Sequence, residues 1–242
     1  MSYGNDKRDA YEQAGFAMTC RSLREYELMF ALRLGSLEQG PVLDAAAGAS
    51  SFGAAVRKSG MEAVSFDPLY ELPPDDMEAL GVRELQDVQY KLEKLAHVYD
   101  WSYYGSPLAH TEQRVRSFRD FMEDYRRFYG TGSYVAGKLP SLPFADGTFG
   151  LVLCSHFLFL YADRLGEAFH RDSLQELLRV CKPGGEVRVY PLLDLSWKPY
   201  AGLERLMEVC RESGAQADLL PSGLPFIPGS DHMLRLIKPK NA

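Results

Sequence analysis

The sequence predicts an α/β fold built on a mostly parallel sheet. Helix-length amphipathic segments alternate with short apolar segments from residue 42 onward. The runs at 63–66 and 151–154 are apolar throughout rather than at every second residue, as in strands covered on both faces. The two last strand-like segments are joined by a stretch with no room for a crossover helix, so the sheet should end antiparallel.

Taken in order, residues 9–34 read as helical, with Leu23, Tyr26 and Phe30 on one face and an end near Gly35. Gly40-Pro41 breaks the chain before a short strand at 42–44, which runs into the small residues 45–51 and a helix at 51–58. A second strand, 63–66, stops at Asp67-Pro68. Between 70 and 130 there are two helical stripes, Leu85, Val88, Leu92 and Leu95, then Val115, Phe118, Met122, Tyr125 and Tyr129. One crossover helix would suffice, so 71–131 is an insertion of some tens of residues. Strand pattern resumes at 133–136, and turn residues at 144–147 lead into 151–154, a mid-sheet strand. Leu174, Leu177, Leu178 and Cys181 mark a helix face, 182–185 breaks it, and 186–191 is strand-like. A helix carrying Leu203, Leu206, Met207 and Cys210 precedes strands at 217–220 and 233–237, separated by a Pro-, Gly- and Ser-rich segment.

The chain has 242 residues, 46% of them hydrophobic and 25% charged, a balance suited to one domain with a large core. We expect a single domain over 1–242, with a helical cap at 1–38 and the 71–131 insertion as a substrate lid. The formal charge of -6 weighs against nucleic acid as a partner. Arg114, Arg116, Arg119, Arg126 and Arg127 cluster, but Asp120, Glu123 and Asp124 interleave them, which reads as a solvated helix face. The N-terminus lacks the apolar core of a signal peptide and no apolar run is long enough for a bilayer, so a cytoplasmic protein with no membrane partner is expected. The four cysteines show no C-x-x-C spacing, and neither disulfides nor a metal are expected. His110, His170 and His232 read as structural, with 170–172 as a helix start. Nothing indicates the oligomeric state.

The segment 42–50, Val-Leu-Asp-Ala-Ala-Ala-Gly-Ala-Ser, places small residues between a parallel strand and a helix, where backbone N–H groups can approach a bound cofactor. Asp67 lies at the end of the next strand, about twenty residues on, where an acid can accept both hydroxyls of a ribose. Strand, small loop, helix, strand and acid make a nucleoside-site constellation. A dinucleotide site of an NAD(P)-dependent oxidoreductase shares it, although the three-glycine fingerprint is missing.

From Val42 onward the chain resembles the class I S-adenosylmethionine-dependent methyltransferases. VLDAAAGAS at Val42 is similar to the family's first motif and VSFDPLY at Val64 to its ribose-binding acidic end. LPFADGTFGLVLCSHFLFLY at Leu142 is similar to its turn and fourth strand, and LLRVCKPGGEVRVYPL at Leu177 to its Pro-Gly-Gly turn and fifth strand. The resemblance implies a Rossmann-like, seven-stranded sheet with helices on both faces and an antiparallel last strand. It implies S-adenosyl-L-methionine as cofactor, S-adenosylhomocysteine as product, and a methyl acceptor that is a small molecule. Carried onto this chain, the cofactor-binding positions are Asp44, Ala45, Ala46, Gly48, Ser50, Asp67, Pro68, Gly137, Lys138, Leu139, Ser155 and His156. The chain departs from the family at three points. Ala46 and Ser50 replace two motif glycines, Gly137-Lys138-Leu139 lacks the acid that relatives aim at the adenine, and Gly150 stands where Phe-Asp is usual. With the eroded glycines and Lys138, a non-catalytic S-adenosylmethionine-binding module is a further reading.

The family's chemistry is in-line displacement at a sulfonium methyl, which needs alignment more than fixed catalytic groups. The end of the fourth strand should face the methyl group, which makes His156 a candidate base or substrate contact, or else a histidine satisfied within the fold. Tyr99, Trp101, Tyr103 and Tyr104 precede a turn in the insertion; they either fill its small core or face the site, with Tyr104 the candidate to face it. Tyr26 and Tyr161 are similar cases. Asp194 either borders the site or caps a loop.

Overall fold

The computed structural model describes residues 15–33, 35 and 40–240. Strand β1 (Val42–Ala45) pairs in parallel with β2 (Ala63–Phe66) on one side and β4 (Phe149–Ser155) on the other. The short β3 (Tyr134–Val135) extends the sheet beyond β2, and β5 (Cys181–Tyr190) lies parallel to β4. β7 (His232–Ile237) sits antiparallel between β5 and β6 (Gln216–Pro221). The order is β3-β2-β1-β4-β5-β7-β6, seven strands with the expected antiparallel ending. Because the order reverses between β1 and β4, their carboxyl ends open a crevice, the usual ligand position in such a sheet.

Burial explains why β4 reads as a continuous apolar run. Val152 and Cys154 pack in the cluster of α5 (Glu167–Val180) and α6 (Leu203–Glu212), while Leu151 and Leu153 pack with Tyr26, Phe30, Phe52 and Val56. Both sides of the strand are covered, so neither set of alternating positions is polar. The second cluster draws on α1 (Leu23–Met29) and α2 (Phe52–Lys58). Among the described residues no helix is long and apolar enough to cross a membrane. The four cysteines are buried and unpaired.

The structure corrects several boundaries. Among the described residues of the helix read over 9–34, the α-helical part is α1, because Ser22 caps it in a reciprocal capping box with Glu25. Upstream, the backbone bonds to the loop after β1 instead of to itself, with Ala49 N–H donating to Thr19 O and Ser51 N–H to Arg21 O. Residues 1–14, part of the predicted helical cap, lie outside the described residues. α5 begins at Glu167, so His170 is inside the helix rather than at its start. Residues 182–185, read as a breaker, belong to β5, where the pairing shifts from Phe149↔Cys181 to Leu151↔Glu186. That bulge accounts for Gly185: a Cβ there would lie 2.7 Å from the Gly150 carbonyl oxygen, so the strands meet there backbone to backbone, while nothing in the structure explains Gly150 itself.

The insertion forms two helices, α3 (Pro74–Lys94) and α4 (Pro107–Phe128), after a 3-10 turn at Pro68–Glu71. The buried face of α4 is not the predicted stripe. Val115 and Tyr129 are exposed, while His110, Arg114, Ser117 and Phe121 turn inward beside Phe118, Met122 and Tyr125. Arg114, grouped by sequence with the solvated arginines, is buried, because Glu25 on α1 supplies its counter-charge.

Candidate active site

The loop leaving β1 turns twice through left-handed backbone, at Ala46 (φ 56°) and Gly48 (φ 56°). Gly48 is tied down on every side. Its N–H donates to Asp67 Oδ2 at 3.0 Å, its carbonyl accepts from the Tyr70 hydroxyl at 2.8 Å, and a Cβ on it would come 3.0 Å from Thr19 N. Asp67 Oδ1 accepts from Leu69 N–H, so both carboxylate oxygens face backbone donors and burial raises the group's pKa. Over this loop runs a strap, residues 15–21, held by Ala17 N–H donating to the Tyr161 hydroxyl at 2.7 Å and Arg164 donating to Gly15 O at 2.7 Å.

Two cavities open beneath the strap. The larger, about 360 Å³, is bounded by Ala46, Gly48, Asp67, Pro68, Gly137, Lys138 and Leu139 on the sheet side and by Phe157, Leu165 and Phe169 opposite. The smaller, about 100 Å³, lies toward the insertion, with Leu85, Val88 and Leu92 of α3, Tyr99, Trp197 and Phe226 as apolar wall. Ala17, Met18, Thr19, His156 and Tyr161 border both.

At the junction His156 adopts left-handed backbone (φ 52°), uncommon for a non-glycine residue. Its Nδ1 shares a hydrogen bond with Ser155 Oγ at 2.8 Å, and its buried Nε2 has no partner among the described residues. Burial, with the Arg21 and Arg114 charges nearby, pushes its pKa well down, so the ring is neutral. If Nδ1 donates to Ser155, Nε2 offers a lone pair; if Ser155 donates, Nε2 carries a hydrogen.

Behind the loop, Asp44 is fully buried and accepts from the Tyr26 hydroxyl at 3.0 Å on each oxygen, an approach fixed by Tyr26 stacking on Phe52 at 4.4 Å. Burial, offset in part by that bond and reinforced by the Asp67 charge, pushes Asp44 up to about 8.

A profile of the methyltransferase domain matches residues 90–189. An uncharacterized protein of Methanocaldococcus jannaschii is 30% identical over 189 residues, which cover 78% of this chain and 83% of that protein. The chain belongs to the class I S-adenosylmethionine-dependent methyltransferases. Among solved structures, the 1,6-didemethyltoxoflavin-N1-methyltransferase of Burkholderia thailandensis, crystallised with 1,6-didemethyltoxoflavin and S-adenosylhomocysteine, shares the fold: TM-score 0.50, 14% identity, 86% of this chain and 76% of that one covered. A methyltransferase structure from Methanococcus maripaludis aligns at TM-score 0.47 and 12% identity over 91% of this chain and 85% of that one. The family and fold anticipated from the motifs are those found, and the enzyme is an S-adenosylmethionine-dependent methyltransferase.

Of the residues picked from this methyltransferase's sequence, Ala46, Gly48, Asp67, Pro68, Gly137, Lys138, Leu139 and His156 line the larger cavity. Asp44, Ala45, Ser50 and Ser155 stand outside its wall. Ser50 Oγ is taken by the Arg21 carbonyl and the Phe52 N–H, a joint between strap and α2. Tyr104 does not line either cavity: its hydroxyl donates to Glu25 and accepts from Arg21 and Arg114, and burial pushes its pKa up, so it is not a base. Tyr99, placed with the core fillers, is the insertion tyrosine in the cavity wall. Asp194 Oδ1 accepts from Ser196 and Lys198 N–H, which makes it the loop cap. Both nitrogens of His170 face carbonyls within the fold. Sequence reading missed the strap, the apolar wall at Leu165 and Phe169, and His110 in the smaller cavity; Phe16 and Phe157 beside Tyr161 were the visible signal.

Proposed function

We propose that S-adenosylmethionine occupies the larger cavity, that a small-molecule acceptor occupies the smaller, and that methyl transfer takes place where the two meet at His156. The observation that carries this is the shared border: two spaces under one strap, one floored by the family's loop and acid, the other walled by apolar side chains. The larger cavity suits the cofactor chemically. Asp67 presents a buried carboxylate to a ribose diol, and behind the loop, outside the cavity wall, Asp44 keeps a buried carboxyl with no ion pair among the described residues, which the positive charge of the ligand would favour in its ionised form. A Cβ at Gly137 would come 2.7 Å from the Phe66 ring, so this stretch is held against β2, where its backbone can meet an adenine edge. Bound there, the cofactor supplies an electrophilic methyl group.

The protein's own residues align and shield. His156 hydrogen-bonds the acceptor through Nε2, the strap excludes water, and the insertion serves as wall and lid for the acceptor within a single domain. A volume of only about 100 Å³ favours a small molecule over a peptide or nucleic-acid strand. Calorimetry with S-adenosylhomocysteine tests the assignment. The wild type should bind, Asp67→Ala should lose at least about tenfold in affinity through one charge-assisted pair, and equal affinity in that variant would refute the cofactor placement.

A further inference from the structure

The polar lining of the smaller cavity combines Arg21, Arg114, His110 and His156 with Thr19 and Glu84. Three buried side-chain atoms of its wall residues have no hydrogen-bond partner among the described residues: Arg21 Nε, His110 Nδ1 and His156 Nε2. Two of them have a fixed sense. Arg21 Nε always carries hydrogen. Arg114 Nε donates to His110 Nε2 at 3.1 Å, so that nitrogen holds the lone pair and, in a neutral ring, Nδ1 carries the hydrogen. Burial and the two arginine charges keep the ring neutral, with a pKa lowered to about 2.

The buried charge around these donors is not balanced. Arg21 and Arg114 both pair with Glu25, which Arg114 grips on both oxygens at 2.6 and 3.1 Å and Arg21 reaches at 3.0 Å. The Tyr104 hydroxyl completes the knot and stays neutral, and Cys20, raised by burial, stays a thiol. Two guanidinium groups against one carboxylate leave one positive charge. Glu84 of α3 also borders the cavity but is partly exposed, where water screens it. Buried donors and an unbalanced buried cation are costly unless something accepts from them. The remaining wall is apolar, aliphatic along α3 and aromatic opposite, with Tyr99 stacked on Phe226 at 4.5 Å, His110 stacked on the same ring, and Trp197 edge-on to Tyr99.

We propose that the methyl acceptor is a monoanion, a carboxylate on a flat apolar body, whose oxygens accept from Arg21 Nε–H and His110 Nδ1–H while the body lies against Tyr99, Phe226 and Trp197. This rests on the reading that the smaller cavity takes the acceptor. Arg114 is the positioning residue: it fixes the His110 tautomer and shares Glu25 with Arg21, leaving Arg21 Nε for the ligand.

The test uses the full-length protein saturated with S-adenosylhomocysteine, titrated with benzoate, benzamide, benzylamine and phenyl phosphate. Benzoate should bind at least about tenfold more tightly than benzamide, the difference expected of charge-assisted over neutral hydrogen bonds, and benzylamine should not compete. Arg21→Gln should erase the preference for benzoate while S-adenosylhomocysteine still binds as in the wild type. His110→Phe, which keeps a ring on Phe226, should weaken benzoate and provides a second variant if Arg21→Gln unfolds. Equal binding of benzamide, tighter binding of benzylamine through Glu84, tighter binding of phenyl phosphate, or no benzoate binding at millimolar concentration with the product bound would each overturn the proposal. Failure of S-adenosylhomocysteine itself to bind would overturn instead the cofactor reading beneath it.

Discussion

Asp44, the third residue of β1, is fully buried, with the Tyr26 hydroxyl as donor, no ion pair among the described residues, and a pKa raised by burial to about 8. The ligand-free enzyme should therefore hold this carboxyl protonated at neutral pH, and a cationic ligand should drive the proton off. An opposite charge within a few ångströms lowers a carboxyl pKa by about 1–3 units. Taking about two units, binding at pH 7 releases roughly 0.8 proton and affinity rises about 25-fold between pH 6 and 8. Calorimetry with S-adenosylmethionine in two buffers of different ionisation enthalpy reads the proton count directly. Asp44→Asn keeps an acceptor for Tyr26 and leaves the ligand's own amine unchanged, so it isolates the share of Asp44: the release should vanish and the pH slope flatten. The sign for stability follows the same group. Its folded pKa is raised, so its contribution is fully present below the ordinary carboxylate range of about 4 and is lost as pH rises through about 8. The thermal shift given by the cofactor should accordingly be larger at pH 8 than at pH 6. No proton release, or the same release in Asp44→Asn, would refute the assignment of Asp44 as the carboxyl that answers the cofactor's charge.

Glu25→Gln should cost about 3–5 kcal/mol, since it strands two buried guanidinium groups, and lower the melting temperature by roughly 6–20 °C. Although burial alone would raise the Glu25 pKa, Arg114 and Arg21 hold it well below the usual range, so its stabilisation is present above about pH 4 and fades as pH falls below that; a gap between wild type and variant that did not narrow in acid would count against this. Ala46→Gly should be neutral or stabilising by up to about 1 kcal/mol in urea unfolding, because relief of left-handed alanine, about 1–2 kcal/mol, outweighs the entropy of glycine; a clear loss would show that Ala46 is unstrained. Gly81→Ala reverses the propensity rule. A better helix former should destabilise by about 1–3 kcal/mol because its Cβ would fall 2.2 Å from the Phe118 ring between α3 and α4, and adding Phe118→Leu should recover part of the loss.

What could be read in the sequence and what could not divide along one line, between contacts that are local or periodic and contacts that are neither. Val42–Ala45, Ala63–Phe66 and Phe149–Ser155 declare themselves because strands buried on both faces have no polar positions, and Asp67 is found by its distance along the chain from the small-residue loop. The antiparallel ending follows from what the segment after Pro221 cannot form. Arg114 shows the other side. Among the arginines of its helix it is chemically indistinguishable, and it is buried only because Glu25, 89 residues away, meets it. Once Arg114 turns inward, Val115 must turn out, so the predicted apolar stripe shifts by a residue's rotation and His110 comes to the cavity. The strap fails for the same reason: residues 15–21 carry enough apolar side chains for a helix, but their backbone groups are claimed by Ala49 and Ser51. On the proposed reading the cofactor side of the site is thus written in adjacent residues, whereas the acceptor side is written in an ion cluster assembled from α1, the strap and the insertion. If the proposal holds, acceptor specificity can change through a few exchanges in Arg21, His110 or Tyr99 without touching the loop or Asp67, so that the family fixes the cofactor while the buried charge selects the acceptor.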